Sequence, residues 1–204
     1  MWRLLRITCA LSFGGLAFST CLMLAGCAKE HPGAESKAGK VGKSETEALA
    51  EEGKPAPIPV TVVGKEEYQK AIAAHQGKVV LVDYWATWCG PCVKQFPHTV
   101  ELWQKNRDRG LDVIALSFDE PTEVESVQKF LADKGATFEN LISKVGAAES
   151  SADEFDFDGA LPNYAIYGRD GKLVKRISPS DPTIPFRPEL IDQAIEEQLA
   201  LPAP

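Results

Sequence analysis

The stretch Val79-Val80-Leu81-Val82-Asp83-Tyr84 constrains this chain most. It is of strand length, rich in valine and almost wholly apolar, the pattern of a central strand covered on both faces. A strand covered on both faces fits a sheet with helices above and below it, which the order of the remaining elements supports. The chain then runs through Trp85-Ala86-Thr87-Trp88 into Cys89-Gly90-Pro91-Cys92. A Cys-x-x-C pair between a buried strand and the start of a helical pattern points to a dithiol redox centre.

The surrounding periodicity supplies the rest of an α/β domain. Val60 to Val63 reads as a short strand, and Lys65 to His75 as a helix with Tyr68 and Ile72 inward. After Cys89, the spacing of Val93, Phe96, Val100 and Trp103 puts an apolar stripe on a second helix, with Pro97 inside it as a predicted kink. Asp112 to Phe118 is the next strand. Thr122 to Lys134 is the next helix, with Val124, Val127, Phe130 and Leu131 inward. Tyr164–Tyr167 and Lys172–Ile177 flank the turn signal Gly168-Arg169-Asp170-Gly171, and Pro188 to Leu199 closes the domain as a helix. This order predicts a mixed central sheet with helices on both faces and a terminal β-hairpin plus helix.

The N-terminal part differs in kind. Residues 1–26 begin with Arg3 and Arg6, continue through an apolar stretch and end in small residues, the pattern of an export signal. Leu24-Ala25-Gly26-Cys27 resembles the lipobox of bacterial lipoproteins, which implies cleavage before Cys27 and lipid attachment to it; a retained transmembrane anchor is the alternative. Either way the domain is expected to be exported and membrane-tethered. If the lipobox operates, Cys9 and Cys21 leave with the signal and Cys27 becomes a thioether. Cys89 and Cys92 are then the only thiols, and a disulfide-stapled scaffold is excluded. Residues 27–59 are dominated by Lys, Glu, Gly, Ala, Ser and Pro and cannot bury a core. They read as a flexible tether with an r.m.s. reach of about 30 Å. Residues 60–204 are left for one compact domain. The net charge of −7 becomes more negative once Arg3 and Arg6 are removed, so nucleic acid is not an expected partner.

The dithiol chemistry follows from the residues. A free thiol with a pKa of about 8.5 is mostly protonated at neutral pH, whereas attack on a disulfide needs thiolate. Cys89 at a helix N-terminus would face unpaired N–H groups and the positive end of the dipole. Cys92, one turn further on, can resolve a mixed disulfide formed at Cys89. Gly90 and Pro91 make the turn tight, and Pro91 lacks a donor where none would be satisfied. Asp83, a carboxylate inside an apolar strand, is expected to carry a raised pKa suited to proton exchange with Cys92. Trp88 is expected as exposed contact surface and Trp85 as core packing.

Over Val60 to Leu201 the chain resembles the thioredoxin fold, and more narrowly the exported, membrane-anchored TlpA/ResA type of thiol-disulfide oxidoreductase. Val82-Asp83-Tyr84-Trp85-Ala86 and Trp88-Cys89-Gly90-Pro91-Cys92 nearly reproduce the thioredoxin signature, with Tyr84 where phenylalanine is usual. Pro97 matches the family's helix kink, and Val113 to Glu120 resembles the strand and acidic turn before the extra helix of this branch. Gly159-Ala160-Leu161-Pro162 resembles the cis-proline loop; that implies Pro162 lies against the sulfurs and that the Leu161 backbone pairs with an extended substrate. Gln95, Asn163 and Gly168 depart from the branch's usual glutamate, threonine and aspartate. The resemblance implies a protein-disulfide reductase, because the Gly-Pro pair is that of thioredoxin, whose potential is about −270 mV. It further implies electrons from a membrane thiol reductase and targets among disulfide-bearing exported proteins, apocytochrome c included. No cofactor is expected, and a monomer is.

Other chemistries fit less well. The histidines are His31, His75 and His98, too few and too early for a copper chaperone of the Sco type, which shares the fold but uses wider cysteine spacing and a later histidine; no metal is expected. Glu154-Phe155-Asp156-Phe157-Asp158-Gly159 hints at a calcium loop but has Ala165 where the bidentate acid belongs, so a solvated acidic loop at the site's rim is expected. A redox-inert binding module of the same fold would be expected to have lost a cysteine or the proline.

Overall fold

The computed structural model describes residues 57–183 and 185–202. Strands β1 (Thr61–Val63), β2 (Val79–Trp85), β3 (Leu111–Ser117), β4 (Glu139–Ser143), β5 (Asn163–Tyr167) and β6 (Leu173–Ile177) form one sheet in the order β1-β4-β3-β2-β5-β6. The first four strands in that order are parallel, and β5 and β6 are antiparallel to their neighbours. The helices are α1 (Lys65–Ala74), α2 (Gly90–Asn106), α3 (Val124–Lys134), α4 (Ser151–Phe155) and α5 (Glu189–Leu199).

The handedness of parallel crossovers decides which face each helix covers. The steps β2 to β3 and β3 to β4 move the same way along the sheet, so right-handed connections put α2 and α3 on one face; β1 to β2 moves the other way and puts α1 on the opposite face. Aromatic contacts follow this division. Trp85 packs on Phe96 of α2 and Phe130 of α3, with ring centroids 4.6 and 4.7 Å away. Its neighbour Tyr84 faces the other way, toward Tyr68 of α1 and stacked on Phe157 at 5.2 Å. Every residue of β2 is buried, as its composition requires.

Several elements differ from the sequence expectation. Strand β4 and helix α4 are additions to it. The buried stripe of α2 is rotated: Cys92, Phe96, Thr99, Val100, Leu102 and Asn106 are buried, while Val93 and Trp103 are half-buried. Thr99 takes a core position because its hydroxyl is bonded there, as described below. Helix α2 is continuous through Pro97. The acidic segment is not a solvated loop: residues through Phe155 are helical, Phe155 is fully buried, and Phe157 returns an N–H to the Ala152 carbonyl at 3.0 Å. Two aromatic side chains in the stretch outweigh its charge, although Asp156 and Asp158 stay exposed. Ile58, within the segment read as tether, packs half-buried on the core. The signal peptide, Cys27 and the remainder of the tether lie outside the described residues.

Candidate active site

Cys89 is the N-cap of α2, with the extended backbone (φ −85°, ψ 97°) that an N-cap needs. Its Sγ accepts the Cys92 N–H at 3.3 Å. The two sulfurs are joined, with S–S 2.02 Å and Cα–Cα 5.2 Å. Cys89 is 7% exposed and Cys92 2%, so the attackable sulfur is the outer one. Gly90 and Pro91 are exposed in the first turn, where the missing Pro91 N–H leaves no helical bond unmade.

A cavity of about 600 Å³ opens beside this turn. Trp88, Cys89, Phe118, Ala148, Phe157 and Leu161 contribute to its wall, which also includes Gly90 and Pro91. Trp88 is 58% exposed, the largest apolar side chain left to solvent among the described residues, whereas Trp85 is in the core. The Leu161–Pro162 bond is cis, Pro162 is buried and Leu161 half-buried. Asp158 ties this loop down. It accepts the Ala160 N–H at 3.1 Å, the Asn163 side-chain N–H at 2.7 Å and the Ser180 hydroxyl. Burial works against its charge, but hydrogen bonds from Ser178, Ser180, Ala160 and Asn163 hold its carboxyl below the usual range. Asn163, a departure from the usual threonine, thereby fastens the proline loop to the 156–160 segment.

Asp83 lies beneath the helix, 1% exposed. Burial pushes its pKa up from 3.8 to about 7, while the Thr99 hydroxyl, donating to Oδ2 at 2.6 Å, pulls the other way. Its Oδ1 has no hydrogen-bond partner among the described residues. Cys92, Phe96 and Thr99 recur at three to four residues along α2, so the inner cysteine and the donor to Asp83 share one buried stripe.

One supporting group escaped sequence reading. Asp119, fully buried just past β3, accepts the Thr87 N–H through Oδ2 at 3.0 Å, the Thr87 hydroxyl, and the Ser117 hydroxyl at 2.5 Å. This fixes the backbone two residues before Cys89. Its sequence signal is a lone acid at a strand end together with a threonine inside Trp-Ala-Thr-Trp-Cys. Tyr84, which stands where phenylalanine is usual, places its hydroxyl 2.7 Å from that of Tyr68 and so closes the α1 side of the sheet. Among the described residues no group of His, Cys, Asp and Glu is arranged to hold a metal ion.

A Cys-x-x-C disulfide at a helix N-terminus, a buried acid below it and a cis-proline loop on a mixed sheet define a protein of the thioredoxin superfamily. The chain belongs to the Redoxin family, whose model matches residues 51–194, and within the superfamily it is TlpA/ResA-like. It is 34% identical over 102 residues to the thiol-disulfide oxidoreductase ResA of Bacillus thuringiensis (strain Al Hakam), covering 50% of this chain and 56% of that protein. It is 33% identical over 102 residues to ResA of Halalkalibacterium halodurans, covering 49% and 53%. The chain thus spans little more than half the length of the curated relatives it matches. A Chlorobium tepidum crystal structure assigned as thiol:disulfide interchange protein DsbE superposes with a TM-score of 0.51 at 27% identity, over 63% of this chain and 85% of that one. A Bacteroides thetaiotaomicron solution structure assigned as a protein disulfide isomerase gives 0.50 at 26%, over 64% and 79%.

Proposed function

We propose that the protein is an exported, membrane-tethered thiol-disulfide oxidoreductase that reduces disulfides of other exported proteins through Cys89 and Cys92. The observation that carries this reading is the joined pair at the N-terminus of α2, with the outer sulfur on an apolar cavity and the inner one on the stripe above a buried acid. The names of the ResA relatives support it.

In the reduced protein the Cys89 thiolate, stabilised by the helix N-terminus, attacks one sulfur of a substrate disulfide and expels the other as thiolate. Cys92 gives up its proton to Asp83 and attacks Cys89 Sγ. The second substrate thiol leaves and the Cys89–Cys92 disulfide forms, so two electrons pass from dithiol to substrate. Trp88, Gly90 and Pro91 supply contact surface, and Leu161 backbone beside Pro162 pairs with the extended substrate segment. A membrane thiol reductase restores the dithiol, and apocytochrome c is one candidate target.

Residues 1–26 act as the export signal, Cys27 carries the lipid, the following residues up to Ile58 form the tether, and the catalytic domain, placed on the extracytoplasmic face of a bacterial membrane, begins at Ile58, which packs on its core. Among the described residues no helix is long and apolar enough to cross a membrane. Replacing Cys92 with Ala in the full chain should accumulate exported proteins in mixed disulfides with Cys89. If Cys92→Ala traps none, and reduced wild type leaves a model protein disulfide intact, the proposal fails.

A further inference from the structure

We infer that Thr99 is a positioning residue for the dithiol: it holds Oδ2 of Asp83, so that Oδ1 is the oxygen that exchanges the resolving proton. The inference rests on the proposed role of Asp83 as proton partner and concerns how the chain controls that group.

Thr99 is 1% exposed and stands on the buried stripe of α2, where an apolar residue would fill the space without a polar atom to satisfy. Its hydroxyl donates to Asp83 Oδ2 at 2.6 Å, a short charge-assisted contact, while Oδ1 is buried without a partner among the described residues. A carboxyl so held cannot swap its two oxygens without breaking that bond. Because the hydroxyl donates, it favours the charged form, and it is the one group that offsets the burial raising Asp83. Thr99 therefore keeps the acid able to lose and regain a proton near neutrality.

Among the described residues Thr99 is the one hydrogen-bond donor to Asp83. Ala115 of β3 and Tyr164 of β5 are its register partners on the two sides. The Tyr164 hydroxyl is buried, and burial followed by the nearby Asp83 raises its pKa far above the ordinary value, with only the neighbouring Thr99 hydroxyl pulling the other way, so it stays neutral. Phe186 stacks on Tyr164, and α5 presents Ile191, Ala194 and Ile195 to the core. His98 of α2 and Asp192 of α5, 3.0 Å apart, are both partly exposed, and neither acts on Asp83.

The test compares Thr99→Val, which keeps the shape and removes the hydroxyl, with Thr99→Ser, which keeps it. Two quantities are read in the full-length protein: the pH dependence of model-disulfide reduction, and the titration of the Asp83 carboxyl carbon by NMR. Thr99→Val should move both inflections upward by roughly one pH unit, a tenfold change in the acid's dissociation constant, and Thr99→Ser should restore both. In an Asp83→Asn background Thr99→Val should leave the rate profile unmoved. If Thr99→Val lowers the rate equally at every pH with the titration unmoved, Thr99 is merely structural and this inference alone is overturned. If the titration moves but the rate profile does not, the reading of Asp83 as proton partner fails and the inference falls with it.

Discussion

Replacing Asp83 with Asn should stabilise the oxidised protein, and increasingly so as pH rises. The folded-state pKa is raised from 3.8 to about 7, so folding favours the protonated acid. The stability linked to that preference is fully present below the unfolded value and is lost as pH rises through the folded one. At 1.36 kcal/mol for each pH unit between the two values, the ionised carboxylate costs about 4 kcal/mol above pH 7, and only about 1.5 kcal/mol at pH 5. Asn keeps an oxygen for the Thr99 hydroxyl and never ionises. Urea unfolding of both proteins at pH 5 and pH 8 isolates the effect, because every other titrating group cancels in the difference. The gain from Asp83→Asn should be larger at pH 8 by about 2.5 kcal/mol. A gain independent of pH, or a loss at pH 8, would show that the acid is solvated or otherwise partnered and would remove the argument for its raised pKa.

Three further outcomes follow from particular contacts. His75 bonds Asp112 at 2.8 Å and Glu139 at 2.6 Å, and the Glu139 bond, ahead of the opposing burial and the Asp112 bond, raises its pKa above 6.5. Its stabilisation is present below pH 6.5 and lost as pH rises through the folded value, so His75→Ala should lose about 1 kcal/mol at pH 6 and less at pH 9 by chemical denaturation. Asp119→Ala orphans the Thr87 N–H and the Ser117 hydroxyl in a buried place and should cost about 2–4 kcal/mol, with slower alkylation of reduced Cys89. Tyr84→Phe should cost only about 1 kcal/mol in thermal or urea unfolding, since the Tyr68 hydroxyl retains Tyr167 at 3.4 Å.

Much of this architecture is legible in the amino-acid sequence, wherever local pattern and burial agree. Strand β2 has no polar face and could only be central; α3 and α5 carry their period plainly; the Cys-x-x-C turn has one place to sit, at the head of α2. Where the pattern is weak, the reading fails for identifiable reasons. Strand β4 is Glu-Asn-Leu-Ile-Ser, two apolar residues among polar ones, and Asn140 is buried only because its amide bonds the carbonyls of Ala136 and Phe138. Helix α4 is one short acidic turn held by Phe155, a tertiary effect that composition hides. Large apolar side chains tilt the sequence pattern of α2 toward Val93 and Trp103, away from its true buried stripe. Thr99, polar on a core stripe, and Asp119, at a strand end, are visible as letters. Their meaning depends on Asp83 and Thr87, which approach them only in three dimensions.

In the proposed reaction Cys89 attacks and Cys92 resolves. The direct measurement is precipitation of reduced insulin chains by the full-length protein under a slow chemical reductant, comparing wild type with Cys89→Ser and Cys92→Ser. Wild type should catalyse well above the reductant alone, neither variant should catalyse, and a persistent mixed disulfide should form only in Cys92→Ser. Catalysis surviving in Cys89→Ser, or none in wild type, would contradict these roles of the two cysteines.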